Sequence, residues 1–559
     1  MKTVILSASS KESYTDIPKG FPYEEMRPLQ RAALEEISRA WDSGVKYVFL
    51  EAPTGFGKSA IAITLARQNP AAFILVSTKN LQDQYVREGA FEAIDVRGRG
   101  NFSCLVSRDK TCDAGPCRLG MMECRYKPQR SLPEKIPERG MKLASSQKGD
   151  FWKYQGSRVC PYWEQKCWGL NHDYPVMSYS YFLYESTHPK DFGKRNLMVC
   201  DEAHNMEEEL MRFIEFTISD NDLKLVNSRI PRVVDSIGDW VDHINEWKRS
   251  LAKELESTKE KFDEAEKKTE EMMEKMQNLA DRIEKCSFIS GELSVDPDNW
   301  IIERGEKGLM SKVTFRPIFV SEWASKFFSM AERFLLQSAT IIDAESMASG
   351  LGLDESECAF LRAGSDFLPE KRPIYYRPVG RMSHGEIGST LPRMADAIRE
   401  LLEKYPDKKG VIHTHTYNIQ EYIAKHVQTR RFLMNRQEDS RNRGRIIAEF
   451  IRSPDPVVLL TPSAYEGMDF KDDICRWQVI CKMPYPNLGN KQVEKRMSLD
   501  RNWYQWKTVL RLVQTYGRGI RSREDWCDTY IFDSSFSVLL KTGKDLFPKW
   551  FTEAIVRDP

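Results

Sequence analysis

Tyr47-Val-Phe-Leu-Glu-Ala-Pro-Thr-Gly-Phe-Gly-Lys-Ser-Ala-Ile-Ala-Ile-Thr-Leu-Ala66 joins an apolar run, a glycine-bearing turn and a helix-forming stretch without interruption. Strand, loop and helix in that order are the setting a phosphate-binding loop needs. Gly55 and Gly57 let backbone N–H groups approach phosphate oxygens, and Thr54 belongs to the same loop. Lys58 is placed to neutralise β/γ charge and Ser59 to ligate Mg²⁺, which makes ATP and Mg²⁺ the expected cofactors. Ala52 stands where many such loops carry their first glycine.

Working outward, Phe73-Ile-Leu-Val76 and Leu197-Met-Val-Cys200 read as further buried strands. Strands alternating with helical stretches imply a parallel sheet covered on both faces, an α/β fold. The second of these strands runs into Asp201-Glu-Ala-His204. A carboxylate at a strand end beside the phosphate loop suits the Ser59-bound metal, and Glu202 is then placed to orient or deprotonate the attacking water. An acidic pair after a strand is often only a solvated helix start, but downstream of a phosphate loop that bland reading loses weight.

Near the other end lies Gln514-Thr-Tyr-Gly517-Arg518-Gly-Ile-Arg521. Arg518 and Arg521 are three apart and share a helical face, which alone could be surface charge. Guanidinium groups reaching a γ-phosphate from a second lobe, with Gln514 beside them, would stabilise transition-state charge and tie hydrolysis to lobe closure. From about residue 342 a second α/β unit is expected, with strands at Gly410-Val-Ile-His413, Pro456-Val-Val-Leu-Leu460 and Val479-Ile-Cys481 and a helix over 417–427. Ahead of the loop, Arg27 and Gln30 fit an adenine-side contact or a capping role equally.

At 559 residues there is length for several domains. Lys+Arg 83 against Asp+Glu 82 excludes a globally basic nucleic-acid binder but leaves room for a local basic groove. No apolar run reaches membrane-spanning length and no signal peptide is legible, so a cytoplasmic protein is expected. Six of the twelve cysteines, Cys104, Cys112, Cys117, Cys124, Cys160 and Cys167, fall in one segment poor in apolar runs. Clustered cysteines in such a chain suggest metal before disulfides. Thiolates suit an iron–sulfur cluster or Zn²⁺ alike, although their irregular spacing lacks the paired knuckles of zinc sites.

A second interruption follows His204. Leu255, Thr258, Phe262, Ala265, Thr269, Met272, Met276, Leu279 and Ile283 recur alternately three and four apart, and no Pro or Gly intervenes. This heptad seam predicts one long helix, packed against another helix of the same insertion.

These motifs, with Gly98-Arg-Gly-Asn-Phe-Ser-Cys104, Cys160-Pro-Tyr, Ser338-Ala-Thr340, Glu466-Gly-Met-Asp469 and Met483-Pro-Tyr-Pro486, resemble the XPD/DinG group of superfamily 2 DNA helicases over nearly the whole chain. The resemblance implies two RecA-like lobes with an iron–sulfur domain and a helical arch inserted in the first. The expected division is 1–97, 170–208 and 312–342 for the first lobe, 98–169 for the iron–sulfur domain, 209–311 for the arch and 343–559 for the second lobe. It carries over Gly467 and Asp469 as nucleotide contacts. It also implies a [4Fe–4S] cluster on Cys104, Cys117, Cys124 and Cys160, with Cys112 and Cys167 spare. The implied activity is ATP-driven 5′→3′ movement on single-stranded DNA by a monomer acting at forks or junctions. An ATP-driven clamp or remodeller that does not unwind is the alternative. Arg97, Arg99, Arg108 and Lys110 are candidate phosphate contacts; Phe102, Tyr162 and Trp163 could stack on bases or pack the small domain. DNA repair, R-loop removal and mobile-element replication are all compatible pathways.

Overall fold

A computed structural model describes residues 1–7, 16–87, 91–118, 124–130, 141–145, 150–187, 190–232, 234, 236–265, 270–307, 310–364, 367–436, 443–462, 470, 472–520 and 525–556. Gly467, Asp469 and Arg521 lie outside the described residues.

Two parallel sheets dominate. The first has eight strands in the order Lys2–Ile5, Cys358–Arg362, Tyr47–Glu51, Ala331–Ser338, Arg195–Asp201, Ala72–Val76, Pro175–Ser178 and Ile94–Val96. The second has seven, in the order Phe432–Met434, Val458–Thr461, Gly410–His413, Trp477–Ile480, Asp528–Asp533, Ile374–Gly380 and Ile555–Val556. The central strands are apolar at successive positions because both faces are covered. Alternation sorts their side chains between two cores. Val48, Leu50, Ile74, Leu197 and Val199 fill one, while Phe49, Phe73, Leu75, Met198 and Cys200 fill the other.

The boundary between lobes falls later than residue 342. Cys358–Arg362 pairs in parallel with Tyr47–Glu51 and so completes the first sheet. The first strand of the second sheet is Ile374–Gly380. Sequence order hides this, because a parallel strand can be added from any distance along the chain.

The described residues of the 98–169 insertion form short 3₁₀ turns at Arg99–Asn101 and Cys112–Ala114, an antiparallel Met141–Ala144/Phe151–Tyr154 pair, and the helix Pro161–Asn171. Pro161 occupies the first helical turn, where its missing N–H costs nothing, and Cys160 is the N-cap.

The arch corrects the heptad reading. The seam does not form one helix. Ile237–Glu264 and Glu270–Val295 are two helices packed on each other, and the backbone is already extended at Ala265 (φ −70°, ψ 127°). Phe262 and Met276 are buried together with Leu255 and Met272 around them. A three-four pattern reads the same whether the seam runs straight or folds back on itself, and folding back buries it within one chain. The arch rests on a three-stranded antiparallel sheet, Trp300–Lys307, Met310–Pro317 and Phe216–Ser219, so its base extends past residue 311.

Candidate nucleotide site between the lobes

The Tyr47–Glu51 strand delivers its turn to the start of the Lys58–Gln68 helix. Gly55 and Gly57 have φ of +81° and +91°, conformations that side chains resist. A Cβ on Gly57 would stand 2.3 Å from Gln30 Nε2, which donates to the Phe56 carbonyl at 2.8 Å. Arg27 Nη1 donates to the Gly55 carbonyl at 2.5 Å. Arg27 and Gln30 thus brace the loop's backbone. Gly57→Ala is expected to weaken ATP binding at least about tenfold, since strain of about 1–3 kcal/mol falls on the loop itself. Titration with a fluorescent ATP analogue checks this; unchanged affinity would mean the loop needs no left-handed residue there.

Lys58 Nζ donates to the Ala52 carbonyl at 3.0 Å, and Gln84 Nε2 donates to Ser59 Oγ at 3.1 Å. Asp201 is buried at the end of its strand. Tyr85 donates to its Oδ2 at 2.8 Å and is itself held by Gln337 Nε2 at 3.0 Å, while the Glu202 N–H donates to Oδ1 at 2.9 Å. Burial raises the Asp201 carboxyl above the ordinary carboxylate range; the Glu202 charge adds to this and Lys58 opposes it. A divalent cation between Ser59 and Asp201 would relieve that penalty. Glu202 has φ +52°, an uncommon conformation for a side-chain-bearing residue that turns its carboxylate out of the strand line. His204 Nδ1 lies 2.6 Å from Ser338 Oγ and 3.3 Å from Glu202 Oε2, and an Nδ1–H tautomer serves both oxygens. Burial, with Lys507 nearby, pushes its pKa down to about 3, so the imidazole is neutral.

The opposite wall comes from the second lobe. Gln514, Gly517 and Arg518 line the same cavity of about 470 Å³ as Gly55, Gly57, Lys58, Ser59, Asp201 and Glu202. Arg518 is only 9% exposed. At Gly519 a Cβ would meet Cys527 Sγ at 2.4 Å, so the turn carrying Arg518 packs directly on the lobe's core.

Some lining residues were not foreseen. Glu51 Oε2 accepts the Ile341 and Ile342 N–H groups at 2.7 and 2.5 Å, and Arg362 Nε approaches Oε1 at 2.7 Å. Its place within an apolar strand was the available signal. Arg372 and Trp550, also on the cavity wall, stand in no motif and meet it only through the second lobe's folding.

In the insertion, Cys104, Cys112, Cys124 and Cys160 are buried and Cys117 is partly so. Cys112 Sγ, read as spare, lies 3.7 Å from Sγ of the expected ligand Cys160. A hydrogen bond from Cys124, together with the Arg99 guanidinium, lowers the Cys117 thiol to about 5. Burial pushes Cys167 up to about 11. Among the described residues no three His, Cys, Asp or Glu side chains converge on one metal position. The DNA-facing expectations change in part. Tyr162 is fully buried, with its hydroxyl donating to Glu185 at 3.2 Å, and is a packing residue. Arg97 is engaged by Asp83 and Asp95, and Arg99 lies over the Tyr162 and Trp163 rings. Trp163 is flanked by the Arg99, Lys127 and Lys166 cations, which favours packing over stacking. Arg108 remains exposed.

Three family models match: a type III restriction enzyme res subunit model over 23–110, the DEAD_2 model over 98–223 and a helicase C-terminal domain model over 398–554. A solved XPD helicase superposes on 92% of this chain and 98% of its own, with TM-score 0.61 and 16% identity. The chain thus resembles XPD/DinG-like superfamily 2 helicases, in its matched domain models and in its fold. A second solved structure, S. tokodaii Xpd4, covers 95% of the helicase and 99% of its own chain at TM-score 0.56 and 16% identity. Both establish the two-lobed α/β fold. Curated relatives match a short stretch: a regulator of telomere elongation helicase 1 homolog from Caenorhabditis briggsae is 29% identical over 108 residues, and its Caenorhabditis elegans counterpart 28%. That stretch is 16% of the helicase and 11% of each relative's length. The matched domain models support a nucleic-acid helicase that uses ATP. Among the described residues no helix is long and apolar enough to cross a membrane.

Proposed function

We propose that this helicase acts on DNA, moving 5′→3′ on single strands and separating duplex at forks or junctions, as a cytoplasmic monomer. The observation that carries the reading is the shared cavity, in which the phosphate loop, Asp201 and Glu202 of one lobe face Arg518 of the other. Ser59 and Asp201 would hold Mg²⁺. Lys58 neutralises phosphate charge, Glu202 orients water, and Arg518 meets charge that develops at the γ-phosphate, so turnover follows lobe closure. Arg521 would join Arg518, and Gly467 and Asp469 would add nucleotide contacts.

Cys104, Cys117, Cys124 and Cys160 would hold a [4Fe–4S] cluster. Three buried thiols and the partly buried Cys117 within one insertion suit it, since thiolates are the ligands such clusters take. Anaerobically purified protein should be brown and carry iron. Cys160→Ser should lose both while keeping part of its ATPase. Zinc without iron would overturn the cluster. Iron lost in Cys112→Ser but kept in Cys117→Ser would exchange those two ligands. Strand displacement on 5′-tailed and 3′-tailed duplexes tests the motor: displacement only from the 5′ tail is expected. DNA-stimulated ATPase without displacement on either substrate would support a clamp instead.

A further inference from the structure

The two halves of the nucleotide site are joined by a buried cluster of charges that none of the motifs contains. The helix Met206–Ile214 begins directly after the Asp-Glu-Ala-His segment, and the helix Arg501–Tyr516 runs directly into the Gly517-Arg518 turn. The first helix presents Glu207 and Glu208 to the second. Trp503 Nε1 donates to both Glu207 carboxylate oxygens at 3.0 Å, and Lys507 Nζ lies 3.0 Å from Oε2. Arg511 Nη2 pairs with Glu208 Oε1 at 3.1 Å, and Lys507 reaches the same oxygen at 3.9 Å. Arg496, 1% exposed, lies 3.8 Å from Glu207 and 4.0 Å over the Phe319 ring of the first lobe.

Trp503, Lys507, Arg511 and Gln514 follow one another at intervals of three or four on one stripe of the helix, and Arg518 stands in the turn directly after its C-cap Gly517. A helix is stiff over such a span, at about 1.5 Å per residue. Displacement of Lys507 or Arg511 would shift the helix end from which the Gly517-Arg518 turn departs. Burial opposes the Glu208 charge, but Lys507 and Arg511 overcome it and hold its carboxyl at about 2.

We propose that Glu207 and Glu208 are positioning residues that grip the Arg501–Tyr516 helix through Trp503, Lys507 and Arg511 and thereby set Arg518 against the nucleotide. The inference rests on the reading of Arg518 given above. It assigns to the first turn after the Asp-Glu-Ala-His box a role in hydrolysis without contact to ATP.

The test is a cycle of variants followed by ATPase kinetics with a single-stranded oligodeoxynucleotide. Glu208→Gln and Arg511→Gln change half-exposed residues and are expected to keep the thermal midpoint of the parent protein; Glu207→Gln is buried and serves as a supplementary variant. Each should lower kcat on the order of tenfold, with KM for ATP nearly unchanged, because the altered groups position Arg518 and do not touch ATP. Arg511→Lys should recover most of the loss. In an Arg518→Ala background, measured by single-turnover hydrolysis, Glu208→Gln should cost almost nothing more, because residues that act through one another are not additive. Multiplying losses in that background, or a rise in KM at constant kcat, would overturn the positioning role. If Arg518→Ala itself left hydrolysis unchanged, the reading of Arg518 would fail instead, so the two failures are distinguishable.

Discussion

Arg518→Ala is expected to lower DNA-stimulated ATP hydrolysis by roughly 10³-fold or more, the scale of an arginine that meets transition-state charge. ATP affinity should fall far less. The guanidinium is 9% exposed and comes from the lobe opposite the phosphate loop, so it approaches the γ-phosphate only when both lobes enclose the nucleotide. On the proposed reading, phosphate binding itself rests on Lys58 and the loop's N–H groups, all in the first lobe. Steady-state kinetics with an equilibrium titration of a fluorescent ATP analogue separate the two effects. An equal loss of binding and turnover would mean that Arg518 holds the lobes together rather than acting on the phosphate. Arg521→Ala is expected to behave in the same way.

Glu202→Gln should bind ATP and Mg²⁺ close to normally and yet turn over on the order of 10²-fold or more slowly, the range in which a positioned acid–base group contributes. The proposed metal carboxylate is Asp201, whose hydrogen bonds from Tyr85 and the Glu202 N–H do not involve the Glu202 side chain. What is lost is the charged oxygen that orients water, on a residue whose left-handed backbone aims it out of the strand line. Single-turnover hydrolysis after rapid mixing reads the chemical step directly, and ATP should remain trapped on the protein. Normal turnover would remove Glu202 from the water site. Lys58→Ala supplies the contrast, because there the phosphate contact itself is removed and hydrolysis should vanish with single-stranded DNA binding largely intact.

Much of this chain was legible from local chemistry. The phosphate loop is encoded where it acts, since strand, glycines, Lys58 and Ser59 are consecutive and their geometry needs no distant partner. The strands that end in Glu51 and Asp201 read correctly because a strand buried on both faces must be apolar at every position. The cysteines marked the insertion for the same reason: a segment with few apolar runs needs another source of cohesion. Three matters were decided only by tertiary structure. Cys358–Arg362 joins the first sheet beside Tyr47–Glu51, because parallel pairing is blind to sequence distance. The heptad seam folds back at Ala265, since its period fixes which face is apolar and not where the helix ends. The grip of Glu207 and Glu208 on Trp503, Lys507 and Arg511 left no mark in sequence, because acidic residues opening a helix and basic residues along another are ordinary helix surfaces until folding buries them together. Sequence thus determined the two phosphate-facing motifs, whose chemistry is local; the fold alone determined how one lobe presents its arginine to the other, which depends on charges far apart in the chain and desolvated only in the assembled core.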